Sequence, residues 1–486
     1  MRVLSRPALK LLTNEAIEKI IGEAMSILAK IGVLVENDDG LNLLKEAGMR
    51  VKLSQKRVYI TEELVSDCLK TVPSSIKVYD RDGDETLKLG GDNVYFVPGS
   101  SALFFLDSNG KIRRPDTKTY INFITLTDCL PYIKGQSTAL IPSDVPEDIA
   151  DRYRLYLSLI YGRKPVVTGT FKKDSFAPML KMLISVRGNE TELRKKPLAI
   201  FDVCPSPPLK WSDLTCQCLI DCVRHGIPSE FVSMPLAGAT APVTLYGSIV
   251  QHTAENLSGV VISQLASPGS SVIYGGSPAI FDMRYGTTPM GAVETMMIDC
   301  AYNQIGKYLG IPTHAYMGLS DSKALDTQTG FESGISTILA SLSGINVVAG
   351  AGMLNFENCQ SLEKLVIDNE ICGMAYRLLE GVKERDEVKT EAVLHKCLKK
   401  SSFLSHPTTL EWFKEEQFIP TDIIDRMDKE TWEKRGRKLS LNRAKEKVKK
   451  ILHTCRPNRI DKDKEKELKK IIHSTSFIKA ILPKRR

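Results

Sequence analysis

From Asn93 onward, eight short runs rich in β-branched or aromatic residues follow one another, each closed by Gly, Pro or Ser and each followed by a segment of helical periodicity. The runs fall at 94–97, 133–140, 165–170, 199–203, 231–234, 271–274, 313–317 and 345–349. The helical segments fall near 117–130, 147–161, 175–186, 212–225, 242–266, 291–309, 328–343 and 361–379. A parallel strand can reach its neighbour only through a crossover, so eight β-then-α units in succession predict an α/β fold closed as a (β/α)8 TIM barrel. An open doubly wound sheet is the alternative topology.

Two joints support the barrel with local chemistry. After the fifth run, Gly238 supplies a turn and Pro242 suits a first helical turn. After the eighth, Gly350-Ala351-Gly352 carries little side-chain bulk, which predicts a close approach of backbone to a ligand. In this architecture such joints form the mouth where chemistry sits. The expected organisation is an N-terminal helical and mixed cap over 1–90, with an extended piece at 58–61, then the barrel over 91–382 and a basic helical C-terminal extension over 383–486.

Charge narrows the function classes. The net charge of +8 is carried by the extension, which holds 29 Lys and Arg against 17 Asp and Glu and leaves the rest slightly acidic. Its runs Lys445-Glu446-Lys447-Val448-Lys449-Lys450 and Lys464-Glu465-Lys466-Glu467-Leu468-Lys469-Lys470 read as solvated helix faces, with docking of an acidic partner as the second reading. They lack interleaved aromatics, so no nucleic-acid partner is expected, although an RNA- or DNA-binding tail is a rival. No export signal and no span of ~18 apolar residues is found, so no membrane association is expected. Eleven scattered cysteines predict a reducing, cytoplasmic setting. A homo-oligomer is expected.

The segment from Pro235 to Glu370 resembles the trimethylamine methyltransferase-like family in its non-pyrrolysine, glycine betaine branch. The resemblance rests on Pro235-Leu236-Ala237-Gly238-Ala239-Thr240-Ala241-Pro242-Val243-Thr244, then Gln251 and Ala254-Glu255-Asn256-Leu257-Ser258-Gly259. It continues through Gly291 and Glu294, Asp321-Ser322-Lys323 with Asp326, Gln328, Gly330 and Glu332, and Glu363-Lys364-Leu365-Val366-Ile367-Asp368-Asn369-Glu370. It implies methyl transfer from an amine nitrogen to Co(I) of a cognate corrinoid protein. Cobalamin is then carried by that partner, and no cofactor is bound stably by this chain. All residues are standard and pyrrolysine is absent, which turns the expectation from trimethylamine to a quaternary amine such as glycine betaine, carnitine or proline betaine. A tertiary methylamine donor and a barrel enzyme of other chemistry are the alternatives; a metal-assisted hydrolase would need a tight His, Asp and Glu cluster.

A quaternary ammonium cannot donate strong hydrogen bonds, so aromatic faces and carboxylates must hold it. Among aromatics near predicted mouths (Tyr95, Phe96, Phe171, Tyr274, Tyr316, Phe331 and Phe356), the expected group is Tyr95, Tyr274 and Tyr316. Gln251 and Glu255 share a helix face, with Glu255 facing the cation or, in the plainer reading, capping a loop or pairing with Arg284. In the polar loop after strand seven, Lys323 is expected to meet a substrate carboxylate, with Asp321 or Asp326 orienting it and Gln328 and Glu332 on the following helix. Glu255, Asp321 and Lys323 are the expected catalytic residues, and Tyr95, Gln251, Tyr274, Tyr316, Asp326, Gln328 and Glu332 the substrate-binding ones. Cys216, Cys218, Cys222 and His225 suggest zinc but lie on one helix and read as core packing, so no metal is expected. His252 and His314 read as satisfied structural histidines.

Overall fold

In a computed structural model, which describes residues 2–3, 5–385, 389–398 and 402–474, eight parallel strands form one ring. Residues 475–486 of the predicted extension lie outside the described residues, as do 386–388 and 399–401. The strands are β1 (Tyr95–Pro98), β2 (Gln136–Ser137), β3 (Val166–Thr168), β4 (Ala199–Val203), β5 (Ser229–Phe231), β6 (Val272–Gly276), β7 (Thr313–Ala315) and β8 (Val347–Ala351). Between them run α1 (Thr117–Cys129), α2 (Ala150–Tyr161), α3 (Phe176–Arg187), α4 (Asp213–Arg224), α5 (Leu245–Ala266), α6 (Val293–Tyr308) and α7 (Thr327–Ser343), and α8 (Leu362–Leu379) follows the last strand. The seam closes where β8 pairs with β1 (Val348 opposite Phe96) and β1 bridges Ile133 just before β2, with the Lys134 amide donating to the Phe96 carbonyl at 2.7 Å.

The TIM-barrel expectation holds, with local differences. The fifth strand is centred two residues earlier than its apolar run, because Ser229 and Glu230 pair with β4 and β6 although neither is apolar. Helix α5 begins at Leu245, not at Pro242, since the Thr244 hydroxyl caps it by accepting from the Gly247 amide at 3.2 Å. Gly350 serves strand packing and not a ligand: a Cβ there would stand 2.2 Å from the Met317 carbonyl oxygen.

The N-terminal residues surround the barrel more than they cap it. Helix Asn14–Lys30 lies along α5, buried through Ile17, Ile20, Ala24 and Leu28. A small sheet of Val33–Val35, Arg50–Lys52 and Arg57–Tyr59 takes Lys210–Trp211, from the loop after β4, as a further strand. The hairpin Ile76–Tyr79 and Glu85–Leu89 covers the end where strands begin, with the Tyr79 amide donating to Pro197 O at 2.8 Å. In the extension, helix Ser440–Thr454 buries Ala444, Val448 and Ile451 toward α8 and α1, and helix Lys462–Ser474 packs on α3 and α2. Lys449, Lys450, Lys462, Lys466, Lys469 and Lys470 of these amphipathic helices are exposed, whereas Lys464 reaches the barrel and donates to Ser185 O on α3. No helix among the described residues is long and apolar enough to cross a membrane.

Trp211 joins the N-terminal sheet to the barrel. Fully buried, it meets Phe231 edge-on at 6.2 Å and donates its indole N–H to Ser258 Oγ at 2.8 Å. Trp211→Ala is expected to lower unfolding stability by about 3–5 kcal/mol, against a change within about 0.5 kcal/mol for exposed Leu404→Ala, both read from urea unfolding midpoints.

Candidate active site

Strand alternation decides which side chains enter the barrel. On β4, Phe201 packs outward on Phe176 of α3 with ring centroids 5.8 Å apart, so Asp202 points inward. On β5, Phe231 turns outward to Trp211 and Glu230 inward. On β7, Thr313 bonds outward to Asn303 of α6, so His314 and the following Tyr316 face the lumen. Four polar side chains from three strands thus meet inside the mouth.

Their electrostatics are unusual for a core. Asp202 and Glu230 face each other, and burial first, then the Asp202 charge, drives the Glu230 carboxyl far above the ordinary carboxylate range. Burial likewise raises Asp202, while its hydrogen bonds with Glu230 and the Ser100 hydroxyl, and then the charge of Arg154, partly offset it. Two carboxyls so placed cannot both ionise cheaply, so burial favours one proton shared by the pair. Ser100 Oγ lies 3.3 Å from Asp202 Oδ2 and 2.8 Å from the Tyr316 hydroxyl. Asp202 Oδ1 and both Glu230 oxygens accept no hydrogen bond from any N–H or hydroxyl of the described residues. His314, 3.5 Å from Glu230 Oε1, is held neutral because burial pushes its pKa down to about 3. Ser100, Ser101, Asp202 and Cys204 are only half-buried although they stand inside the ring, so the mouth is open down to Asp202.

A third carboxyl enters from the loop after β8. Asn355, Phe356 and Glu357 have φ of 52°, 54° and 64°, three successive left-handed residues without a glycine. Such backbone is costly and persists only where its surroundings impose it. Here the Asn355 amide donates to Ser322 O at 3.0 Å, and Glu357 accepts from Ser277 Oγ at 3.1 Å. Burial raises the Glu357 pKa to about 8; the Ser277 hydroxyl opposes the rise and the charge of Asp321 adds to it.

The predicted residues fall into separate places. Asp321, Lys323, Asp326, Gln328 and Glu332 come together in one network on the rim. Asp321 accepts from the Met290 and Gly291 amides at 3.0 and 2.7 Å, and Glu332 accepts from Ser320 Oγ, the Asp321 amide and Gln328 Nε2 at 2.6, 2.8 and 2.9 Å. Asp326 caps α7, and Lys323 Nζ donates to Asp321 O at 2.8 Å while lying 4.0 Å over the Phe356 ring. Burial lifts the Asp321 carboxyl to about 6 despite its two amide donors. Tyr316 lies at the mouth.

Other expectations are corrected by position. Glu255 does not face the lumen: Leu209 N, Gln251 Nε2 and Ser233 Oγ occupy its oxygens at 3.0, 3.0 and 2.5 Å, tying α5 to the loops after β4 and β5, with Arg284 paired elsewhere to Asp282. Gln251 donates also to Thr240 O at 2.9 Å. Tyr95 opens β1 at the opposite end of the barrel, its hydroxyl accepting from the Lys88 amide. Tyr274 has outward parity on β6 and donates to Thr253 on α5 at 3.0 Å. Phe96 also turns outward, onto Tyr376. His314 has no hydrogen-bond partner on either ring nitrogen, unlike a satisfied core histidine. Cys216, Cys218 and Cys222 are buried, His225 bonds Glu190 at 2.8 Å, and all eleven cysteines are free.

Asp202, Glu230 and Glu357 are the candidates that the sequence reading passes over. A carboxylate at inward parity within a buried run was a usable signal for Asp202, and Glu230 sat just ahead of its run. For Glu357 no local signal exists, since nothing in Asn355-Phe356-Glu357-Asn358 announces left-handed backbone.

A closed parallel barrel that concentrates ionisable side chains inside the C-terminal mouth is an enzyme's architecture. The family described as trimethylamine methyltransferase (MTTB) matches residues 2–476. The chain is 30% identical over 431 residues to glycine betaine methyltransferase of Desulfitobacterium hafniense strain Y51, covering 88% of this chain and 89% of that protein. It is 31% identical over 473 residues to trimethylamine methyltransferase MttB of Methanosarcina thermophila, covering 95% and 96%. Among solved structures, the monomethylamine methyltransferase of Methanosarcina barkeri superposes with a TM-score of 0.52 at 12% identity over 93% of this chain and 90% of that one, which shows the shared fold. The chain belongs to the trimethylamine methyltransferase family and is a methyltransferase.

Because the folded pKa of Glu357 is raised, its contribution to stability is fully present below the unfolded value of 4.5 and is lost as pH rises through about 8. Glu357→Gln is therefore expected to flatten the fall of the urea midpoint across that window relative to wild type. An unchanged slope would place the titration elsewhere.

Proposed function

We propose that this enzyme moves a methyl group from a quaternary amine to Co(I) of a separate corrinoid protein. The observation that carries the reading is the proton-sharing Asp202–Glu230 pair at the floor of an open, partly aromatic mouth. Carboxyl oxygens that lack donors there are stabilised by a cation that brings none. Tyr316 closes one side of the floor, and Phe171 and Phe356 stand higher at the rim. A quaternary ammonium between them is held by charge and by aromatic faces.

Demethylation of such a donor breaks the C–N bond with its electron pair staying on nitrogen, and a neutral tertiary amine leaves. Neither a general acid nor a covalent activator is required, which agrees with a chain of standard residues. The chief task is to hold the methyl carbon in line with the incoming nucleophile. The corrinoid acts as the second substrate, approaching the rim where Asp321, Lys323 and Glu332 fix the loop after β7. A cytoplasmic setting suits its free cysteines and a strongly reduced acceptor.

The test is to mix the enzyme with reduced corrinoid protein and glycine betaine, carnitine, choline or trimethylamine, and to follow conversion of Co(I) to methyl-Co(III) by absorbance. Quaternary donors should react and trimethylamine should not; reaction with trimethylamine alone would establish the tertiary-amine alternative, and silence with every amine would end the reading. Asp202→Asn should lower kcat/KM by about 100-fold, with the folded protein retained.

A further inference from the structure

The mouth also holds a cation of its own. Arg154, on α2, is fully buried, and no carboxylate among the described residues forms an ion pair with it. One nitrogen, Nη1, donates to Thr138 O at 2.6 Å and to Ser101 Oγ at 3.2 Å, which fixes the guanidinium at the C-terminal ends of β1 and β2. Its Nε and Nη2 have no hydrogen-bond partner. These two nitrogens form one edge of the guanidinium, the edge that binds a carboxylate through two parallel hydrogen bonds. Phe171, itself 39% exposed, stacks over the plane at 4.5 Å and leaves that edge as the direction still to be satisfied.

The position of this edge matters because of two adjacent serines. Ser101, in left-handed backbone with φ of 66°, turns its hydroxyl to Arg154, whereas Ser100 turns its own to Asp202 and Tyr316. The two residues therefore hold, on neighbouring parts of one wall, a guanidinium with no directly bonded carboxylate among the described residues and a carboxyl that shares a proton with Glu230, close enough that each responds to the other's charge. Attraction across the wall leaves the Arg154 edge and Asp202 Oδ1 without a directly bonded partner, which is costly in a buried site. A single ligand with a quaternary ammonium at one end and a carboxylate a few bonds away would satisfy both, whereas a simple cation would leave the guanidinium unanswered.

We infer that Arg154 is the carboxylate-binding residue of this site and that the methyl donor is a zwitterionic betaine, not a simple ammonium cation. The inference rests on the quaternary-amine reading above and deepens it. It assigns recognition to Arg154 in place of Lys323, whose ammonium is already engaged by Asp321 O and the Phe356 ring.

The experiment is equilibrium calorimetry on the full chain without corrinoid protein, titrating glycine betaine, its carboxamide and choline. The last two keep the trimethylammonium group and lack the carboxylate. Wild type should bind glycine betaine about 30-fold or more tighter than either, and Arg154→Met should shrink that gap to about threefold or less by weakening only the betaine. Arg154→Lys should restore part of the gap, since charge returns without the two-pronged edge. Should Arg154→Met fail to fold, Arg154→Lys tests the assignment, and the wild-type comparison still tests the zwitterionic donor. Equal wild-type affinities, or a gap that survives in Arg154→Met, overturn the inference while leaving a quaternary-amine donor in place. Binding of none of the three overturns both.

Discussion

Closure of the strand ring is the constraint on which the rest of this molecule depends. The pairing of β8 with β1, and of β1 with the start of β2, turns eight parallel strands into a wall with an inside. Alternation then forces every second side chain into that space. In most such barrels the inside is filled by branched apolar residues. Here three strands deliver Asp202, Glu230, His314 and Tyr316 toward the C-terminal end, where desolvation raises the carboxyls and keeps the histidine neutral.

Desolvated acids of this kind weaken a fold unless they are protonated or meet a positive charge. The structure applies the first remedy through the shared proton of the Asp202–Glu230 pair, and the proposed substrate supplies the second. The same logic extends to Glu357, held near neutrality's upper edge on a strained loop, and with opposite sign to Arg154. Stability and recognition are thus coupled at one place. Other buried charges are met within the scaffold: Lys364 pairs with Asp368 at 2.5 Å, and Glu255 receives three donors.

Periodicity made the scaffold readable. All eight strand positions and their helices were visible in the sequence because crossover connections repeat one pattern, and errors were confined to ends such as the start of α5, where a threonine cap overrode a proline. The site was readable only in part. The rim network around Asp321 announced itself as a polar loop of both charges, and Tyr316 by its place after β7. Tyr95 and Tyr274 failed because an aromatic near a strand says nothing of which end or which face it occupies: one residue of phase sends Tyr274 outward and His314 inward. Glu255 failed because a carboxylate on a buried helix face serves a loop amide as well as it would serve a cation. Arg154 lies on a helix far in sequence from Ser101 and Asp202, and only the closed ring brings them together.

The central claim is that the lumen's shared proton gives way to a cationic methyl donor. Calorimetric titration of glycine betaine into the enzyme, repeated in buffers of different ionisation enthalpy, tests it most directly. The account predicts release of about one proton per ligand bound, abolished in Glu230→Gln. Tight binding with no proton exchanged, in wild type and variant alike, would contradict it.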